Sequence, residues 1–246
     1  MKQSEKSRID LLVVERGLVS TRARAQALVM AGKVLVGGKV VDKPGALVSA
    51  SAEVVLKEDL PYVGRGGLKL AGALDAFKVD VTGLTVADVG SSTGGFTDCL
   101  LKRGASRVFA IDVGKGLLDW SLRNDARVTL LEGVNIRHID PATVSPKASM
   151  AVIDVSFISL EKVLPSVVYI LSDAAIVLAL VKPQFEVGKG EVGRGGVVRD
   201  GEKHRRVVER VIEFAKSIGL KDAGVCESPI TGAKGNREFW VFLRKN

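Results

Sequence analysis

Residues 88–97 read DVGSSTGGFT. The apolar run Leu84-Thr85-Val86-Ala87 ahead of them predicts a buried strand, and the CLLKR that follows at 99–103 predicts the start of a helix. A strand, a glycine turn and a helix make a nucleotide-type ligand site. Glycines let the backbone approach the ligand closely, and the helix N-terminus offers free N–H groups. The turn departs from the dinucleotide fingerprint G-x-G-x-x-G. Here Gly90 is followed by Ser91, Ser92 and Thr93, and only then by Gly94 and Gly95. The bland alternative is a glycine turn at an ordinary strand–helix junction.

Working outward, apolar runs of strand length fall at 84–89, 107–111, 127–131, 149–154, 175–181, 222–227 and 238–244. Helical stretches separate most of them, and residues 66–77 form one before the glycine turn, with Leu70, Leu74 and Phe77 inward. Repeated βα units predict an α/β fold with a doubly wound sheet. Its ligand belongs beyond the carboxyl ends of the strands. Asp112 ends the second strand about twenty residues after Gly90, where a carboxylate can accept both hydroxyls of a ribose. Asn135, near the end of the third, is placed to read a base edge. Asp154 and Lys182 end the fourth and fifth strands. Charges at the tips of apolar runs need partners or a task, and a structural salt bridge between these two is the simpler reading.

Residues 7–57 have a different texture. Ile9, Leu12 and Val13 recur at helical spacing up to Gly17, and Ser20 is placed to cap a second helix running to Gly32. Residues 34–41 read as a hairpin and 53–56 as a further strand. The chain therefore divides into a small α+β domain at 1–59 and a larger one at 60–246, with KEDLP at 57–61 as linker. The net charge of +8 and a pI near 9.5 point to a polyanionic partner, usually nucleic acid. Cys99 and Cys226, expected in the core, and the two histidines lack ligand spacing, so no metal site is expected. Neither a secretory leader nor an apolar run of membrane-spanning length is present, and a cytoplasmic location is expected.

Residues Arg8-Ile9-Asp10, STRARA at 20–25, Gly32-Lys33-Val34 and VGGKVV at 36–41 together resemble the S4 RNA-binding domain. The resemblance implies an RNA-facing surface carrying Arg8, Arg22, Arg24, Lys33 and Lys39. The glycine turn resembles the first motif of S-adenosylmethionine-dependent methyltransferases. That implies a cofactor site formed by Asp88, Gly90, Ser91, Ser92, Thr93, Gly94, Gly95, Phe96, Asp112, Asn135 and Asp154. Lys69, Asp154, Lys182 and Glu238 follow the order and settings of the Lys-Asp-Lys-Glu tetrad of FtsJ-like ribose 2′-O-methyltransferases. With DVSFISL at 154–160 and LVKPQFE at 180–186, nearly the whole chain is similar to the TlyA family of ribosomal RNA methyltransferases, often labelled hemolysins. The resemblance implies a Rossmann-like sheet and 2′-O-methylation of cytidine in ribosomal RNA. Shorter members serve the large subunit and longer ones both; this chain stands nearer the shorter end.

The residue types suit that chemistry. A ribose hydroxyl is a weak nucleophile and must be oriented and relieved of its proton. Lys182 acts as the base if burial and Lys69 lower its pKa, or as a charged orienting group if Asp154 prevails; the sequence leaves both open. The loop at 186–199 is glycine-rich and basic, which places Lys189, Arg194 and Arg199 as phosphate contacts or in an ordinary flexible loop. KHRR at 203–206 reads as a solvated basic face. Two rival functions are a peripheral membrane-active protein and a non-catalytic ribosome assembly factor.

Overall fold

A computed structural model describes residues 6–56, 61–188 and 190–245. The chain forms two compact units, Met1–Asp59 and Leu60–Asn246. Most of the expected linker, at 57–60, lies outside the described residues.

In the first unit, strand β1 (Lys6–Arg8) leads into helix α1 (Ile9–Glu15), and helix α2 (Arg22–Met30) follows. Gly17, at φ +69°, ends α1: its N–H donates to Val14 O, and Leu18 N–H reaches back to Val13 O. Thr21, not Ser20, caps α2. Its backbone is extended, and its Oγ1 accepts from Arg24 N–H, three residues on, at 3.3 Å. Strands β2 (Val34–Val36) and β3 (Lys39–Val41) form the expected hairpin about Gly37 and Gly38. Strand β4 (Leu47–Ser49) pairs with β1, and β5 (Val54–Leu56) with β2. Ile9, Leu12, Val13, Ala25, Val29, Val34 and Val54 make the small core.

The second unit opens with helix α3 (Gly66–Phe77). Strand β6 (Thr85–Val89), helix α4 (Gly95–Lys102), strand β7 (Arg107–Asp112), the short helix α5 (Trp120–Arg123) and strand β8 (Val128–Glu132) follow. Next come β9 (Ala148–Ile153), α6 (Leu164–Ile170), β10 (Leu171–Val181), α7 (Pro183–Glu186), α8 (Gly201–Ser217), β11 (Leu220–Glu227) and β12 (Phe239–Lys245). The sheet order is β11-β12-β10-β9-β6-β7-β8, with β12 antiparallel to both neighbours. The chain runs outward from β6 to β8, then returns to lay β9 beside β6 on the other side. That reversal is the switch point where open α/β sheets hold ligands.

Both faces of the sheet are buried, so its strands read as continuous apolar runs. On β10, Leu178 and Leu180 pack on the side of α3 and α4 with Leu70, Leu74, Leu100 and Trp240. Val177, Ala179 and Val181 face the side of α6 and α8 with Val167, Val211 and Leu243. Helical spacing puts His204 on the stripe with Val207, Val208 and Val211, which corrects the reading of 203–206 as a solvated face for that residue, while Arg205 and Arg206 are exposed. His204 is buried, its Nε2 lies 2.8 Å from the Val198 carbonyl oxygen, and its ring packs on Phe239. Cys99 is buried as expected, whereas Cys226 is half-buried.

Candidate active site

The glycine turn leaves β6 at the switch point. Gly90 has φ +88°, and a Cβ there would overlap the carbonyl oxygen of Asp154 at the end of the adjacent β9. A Cβ on Gly95 would stand 2.9 Å from Gly67 N and 3.2 Å from Gly64 O, so only glycine lets α4 begin against the segment before α3. Asp112 is held by two backbone amides: Ser92 N–H donates to Oδ2 at 2.8 Å and Gly114 N–H to Oδ1 at 2.7 Å. The carboxylate thus braces the turn as well as closing β7. Asn135 Oδ1 accepts from Arg137 N–H, fixing a single helical turn over Ile136–His138.

Two cavities meet at Gly90, Ser92 and Asp154. One, of about 570 Å³, runs past Asp112 and Asn135 and is otherwise largely apolar, with Ile111, Val134 and Val155 in its walls. The other, of about 300 Å³, is bounded by Arg65, Lys69, Thr93, Phe96 and Gly232. Ser91 and Gly95 also face it. Asp88 and Gly94, expected at the cofactor, line neither. Asp88 is fully buried within β6, and its Oδ2 accepts from Thr97 Oγ1 at 2.6 Å. Burial pushes its pKa up to about 7, and the charges of Asp154 and Asp112 add to the shift. Gly94, at φ +96°, turns the chain into α4, and a Cβ there would run into Leu118 and Leu122.

The four charged residues of the expected tetrad form two ion pairs; Lys69 and Asp154, one from each, line the smaller cavity, and Lys182 and Glu238 stand behind them, lining neither. Lys182, just past β10, pairs with Asp154, just past the neighbouring β9. Its ammonium also donates to Ser156 Oγ at 2.9 Å. Lys69 on α3 donates to Glu238 Oε2 at 2.6 Å, both side chains being nearly buried. Glu238 stands just ahead of β12, which enters the sheet beside β10 from the opposite direction. A Cβ on Gly232 would displace the Glu238 carboxylate from its place beside Lys69.

Two residues that sequence reasoning did not single out support these pairs. Glu186, on α7 just after Lys182, is buried; its Oε1 accepts from Leu160 N–H and its Oε2 from Ser159 Oγ, each at 2.8 Å. It ties the segment after Lys182 to the segment after Asp154. Burial raises its pKa, against the opposing pull of the Leu160 amide, Ser159 and Arg210. Asn236 is buried too: its Oδ1 accepts from Val198 N–H, and its Nδ2 donates to Gly196 O and Ala233 O, all at 3.0 Å. It straps the loop after α7 to the loop before β12. That basic loop is accordingly anchored, with Gly193 bridged to Val197 and both Arg194 and Arg199 exposed. Lys189 lies outside the described residues. In the first unit Arg24 and Lys39 are exposed, Lys33 is half-buried, and Arg8 and Arg22 both bond to Asp10.

An open sheet with a glycine turn at its switch point and two lysine–carboxylate pairs beside it is the architecture of a methyltransferase domain. Residues 62–245 match the FtsJ-like methyltransferase family, and the chain belongs to it. Residues 7–54 match the S4 domain. Over 243 residues the chain is 46% identical to the 16S/23S rRNA (cytidine-2'-O)-methyltransferase TlyA of Mycobacterium tuberculosis, covering 98% of this chain and 91% of that protein. It is 37% identical over 233 residues to Hemolysin A of Brachyspira hyodysenteriae, covering 94% and 97%. A solved structure from Streptococcus thermophilus, described as a hemolysin, superposes with a TM-score of 0.76 at 45% identity, covering 99% of this chain and 90% of that one.

Proposed function

We propose that this chain methylates the 2′-hydroxyl of cytidine in ribosomal RNA, with S-adenosylmethionine as methyl donor. The observation that carries the reading is that Lys69 and Asp154, one member of each lysine–carboxylate pair, line the same cavity as the glycine turn. The residues around the turn suit the cofactor. Gly90 leaves no room for a side chain, and Asp112 offers a fixed carboxylate at one end of a largely apolar chamber large enough for a nucleoside. Gly90, Ser92, Asp112 and Asn135 would hold it. Bound there, it supplies a methyl group on a sulfonium, already a strong electrophile.

The chain's own task is the hydroxyl. The Lys182 ammonium, fixed by Asp154 and Ser156, orients the hydroxyl oxygen and offsets the negative charge that develops on it as the hydroxyl proton passes to water. Lys69, fixed by Glu238, adds a second positive charge at the smaller cavity. The first unit, with Arg8, Arg22, Arg24, Lys33 and Lys39, supplies docking to the RNA backbone, and Arg194 and Arg199 add charge from the loop after α7. Among the described residues no helix is long and apolar enough to cross a membrane. Mass-spectrometric mapping of unmodified ribosomal RNA, treated with purified protein and cofactor, tests the proposal. A new 2′-O-methylcytidine is expected; methylation only on bases, or none on the RNA of either subunit, overturns it.

A further inference from the structure

Among the described residues of the first unit Asp10 is the buried acid, and it has no place in the chemistry described so far. It shows no exposed surface, yet four donors close on its carboxylate. Arg8 grips it with a fork, Nε to Oδ1 and Nη2 to Oδ2, each at 3.0 Å. Arg22 Nε and Gln26 Nε2 both donate to Oδ2, again at 3.0 Å. The donors come from the end of β1 and from the first turns of α2, so one carboxylate fixes side chains from separate elements. The fork of Arg8 holds Asp10 well below the usual carboxylate range, and the group stays charged.

The arginines are not spent by this contact. Their side chains remain 42% and 52% exposed. Each turns its Nε toward Asp10, and Arg8 Nη1 and both Nη groups of Arg22 have no protein partner among the described residues. A guanidinium fixed along one edge has lost rotamer freedom before any ligand arrives, and its other edge still offers N–H groups that match phosphate oxygens. We infer that Asp10 is the positioning residue of a two-arginine phosphate grip, holding Arg8 and Arg22 side by side for one stretch of RNA backbone. The inference rests on the reading of the first unit as the RNA-docking unit. It adds that the arginines act as a fixed pair rather than as two independent charges.

The competing account is that Asp10 merely fastens α2 to the segment before α1. A double-mutant cycle on the full chain separates the two, with unmodified 23S ribosomal RNA transcript as probe. Asp10→Asn should weaken binding roughly tenfold, the scale of one charge-assisted contact, and Arg8→Ala/Arg22→Ala should weaken it further. Adding Asp10→Asn to the double arginine variant should change nothing more, because Asp10 acts through those side chains. Additive losses in the triple variant overturn the inference. If Asp10→Asn melts out at the assay temperature, Arg8→Lys/Arg22→Lys decides the matter. That variant keeps the charge but not the fork, and about a tenfold loss is expected where unchanged affinity overturns the grip. Unaltered binding by Arg8→Ala/Arg22→Ala would refute the docking role of this surface itself, and the grip with it.

Discussion

Replacing Lys182 by alanine removes the ammonium that the structure places between Asp154 and Ser156. The side chain is about 10% exposed, so the charge works neither in bulk water nor in a dry interior. With an effective dielectric near 20, a unit charge about 4 Å from a developing alkoxide is worth about 4 kcal/mol. At 1.36 kcal/mol per decade that is roughly a thousandfold in rate, at the upper end of the range of about 10²–10³ for losing one electrostatic stabiliser. The variant should retain the fold, because Lys182 follows β10 and contributes no rung to the sheet. Asp154 loses its countercharge, and its Oδ1, buried from solvent although the side chain is 19% exposed, is left without a partner, so a cost of about 1–3 kcal/mol in stability is expected. RNA affinity should change little if docking rests on the first unit. Lys182→Arg should not rescue turnover, since a planar fork cannot reproduce a point charge bonded to both Asp154 and Ser156. Single-turnover methylation with tritiated cofactor measures the step directly. A rate for Lys182→Ala within a few-fold of the wild type would refute the assignment of this ammonium to the hydroxyl.

Gly90→Ala should abolish cofactor binding in calorimetry, because the new methyl would overlap the Asp154 carbonyl oxygen in a left-handed turn; micromolar binding would contradict the geometry. Glu238→Gln keeps the shape but removes the charge that fixes Lys69, so stability should fall by about 3–5 kcal/mol and turnover of the folded protein about 10- to 100-fold; wild-type turnover at a temperature where circular dichroism shows the variant folded would contradict that role. Asp88 is pushed up to about 7 by burial, so between about pH 4 and pH 7 the folded state binds more protons than the unfolded one, and its contribution to stability falls as pH rises through that window. Asp88→Asn should remove that decline, roughly 4 kcal/mol at most, and denaturant titrations at pH 5 and pH 8 that show the same pH dependence in both proteins would rule it out.

The sheet was largely legible in the sequence because both of its faces are buried. Its strands therefore stand out as apolar runs, and the charged residues that end them mark its carboxyl edge. Asp154 and Lys182 could be placed by that logic, whereas Glu238, which opens β12 rather than ending a strand, was reached only through the resemblance to the tetrad. The β1–β4 pair was missed because Lys6–Arg8 and Leu47–Ser49 are three-residue strands with no buried alternation to announce them. Asp88 was grouped with the cofactor residues by its place beside the turn, but its side chain turns inward to Thr97. The Lys182–Asp154 pair was anticipated from two charged strand ends, but the partner of Lys69 was hidden, since Lys69 and Glu238 lie 169 residues apart. Glu186 and Asn236 act through backbone amides and carbonyls of distant loops, which leave no periodic trace in the chain.

The placing of β12 has a genetic consequence. In order of sequence it is the last strand, but in space it lies between β10 and β11, and within the sheet β11 has no other neighbour. A premature stop codon just before residue 239 would therefore not trim a fringe. It would leave a gap in the middle of the sheet, strand β11 without a pairing partner, and bare the apolar contacts of Trp240, Val241 and Leu243 in both cores. Short truncations near this end should behave as complete loss-of-function alleles, degraded rather than merely inactive, whereas changes to the exposed loop at Arg194 should yield stable protein of reduced affinity.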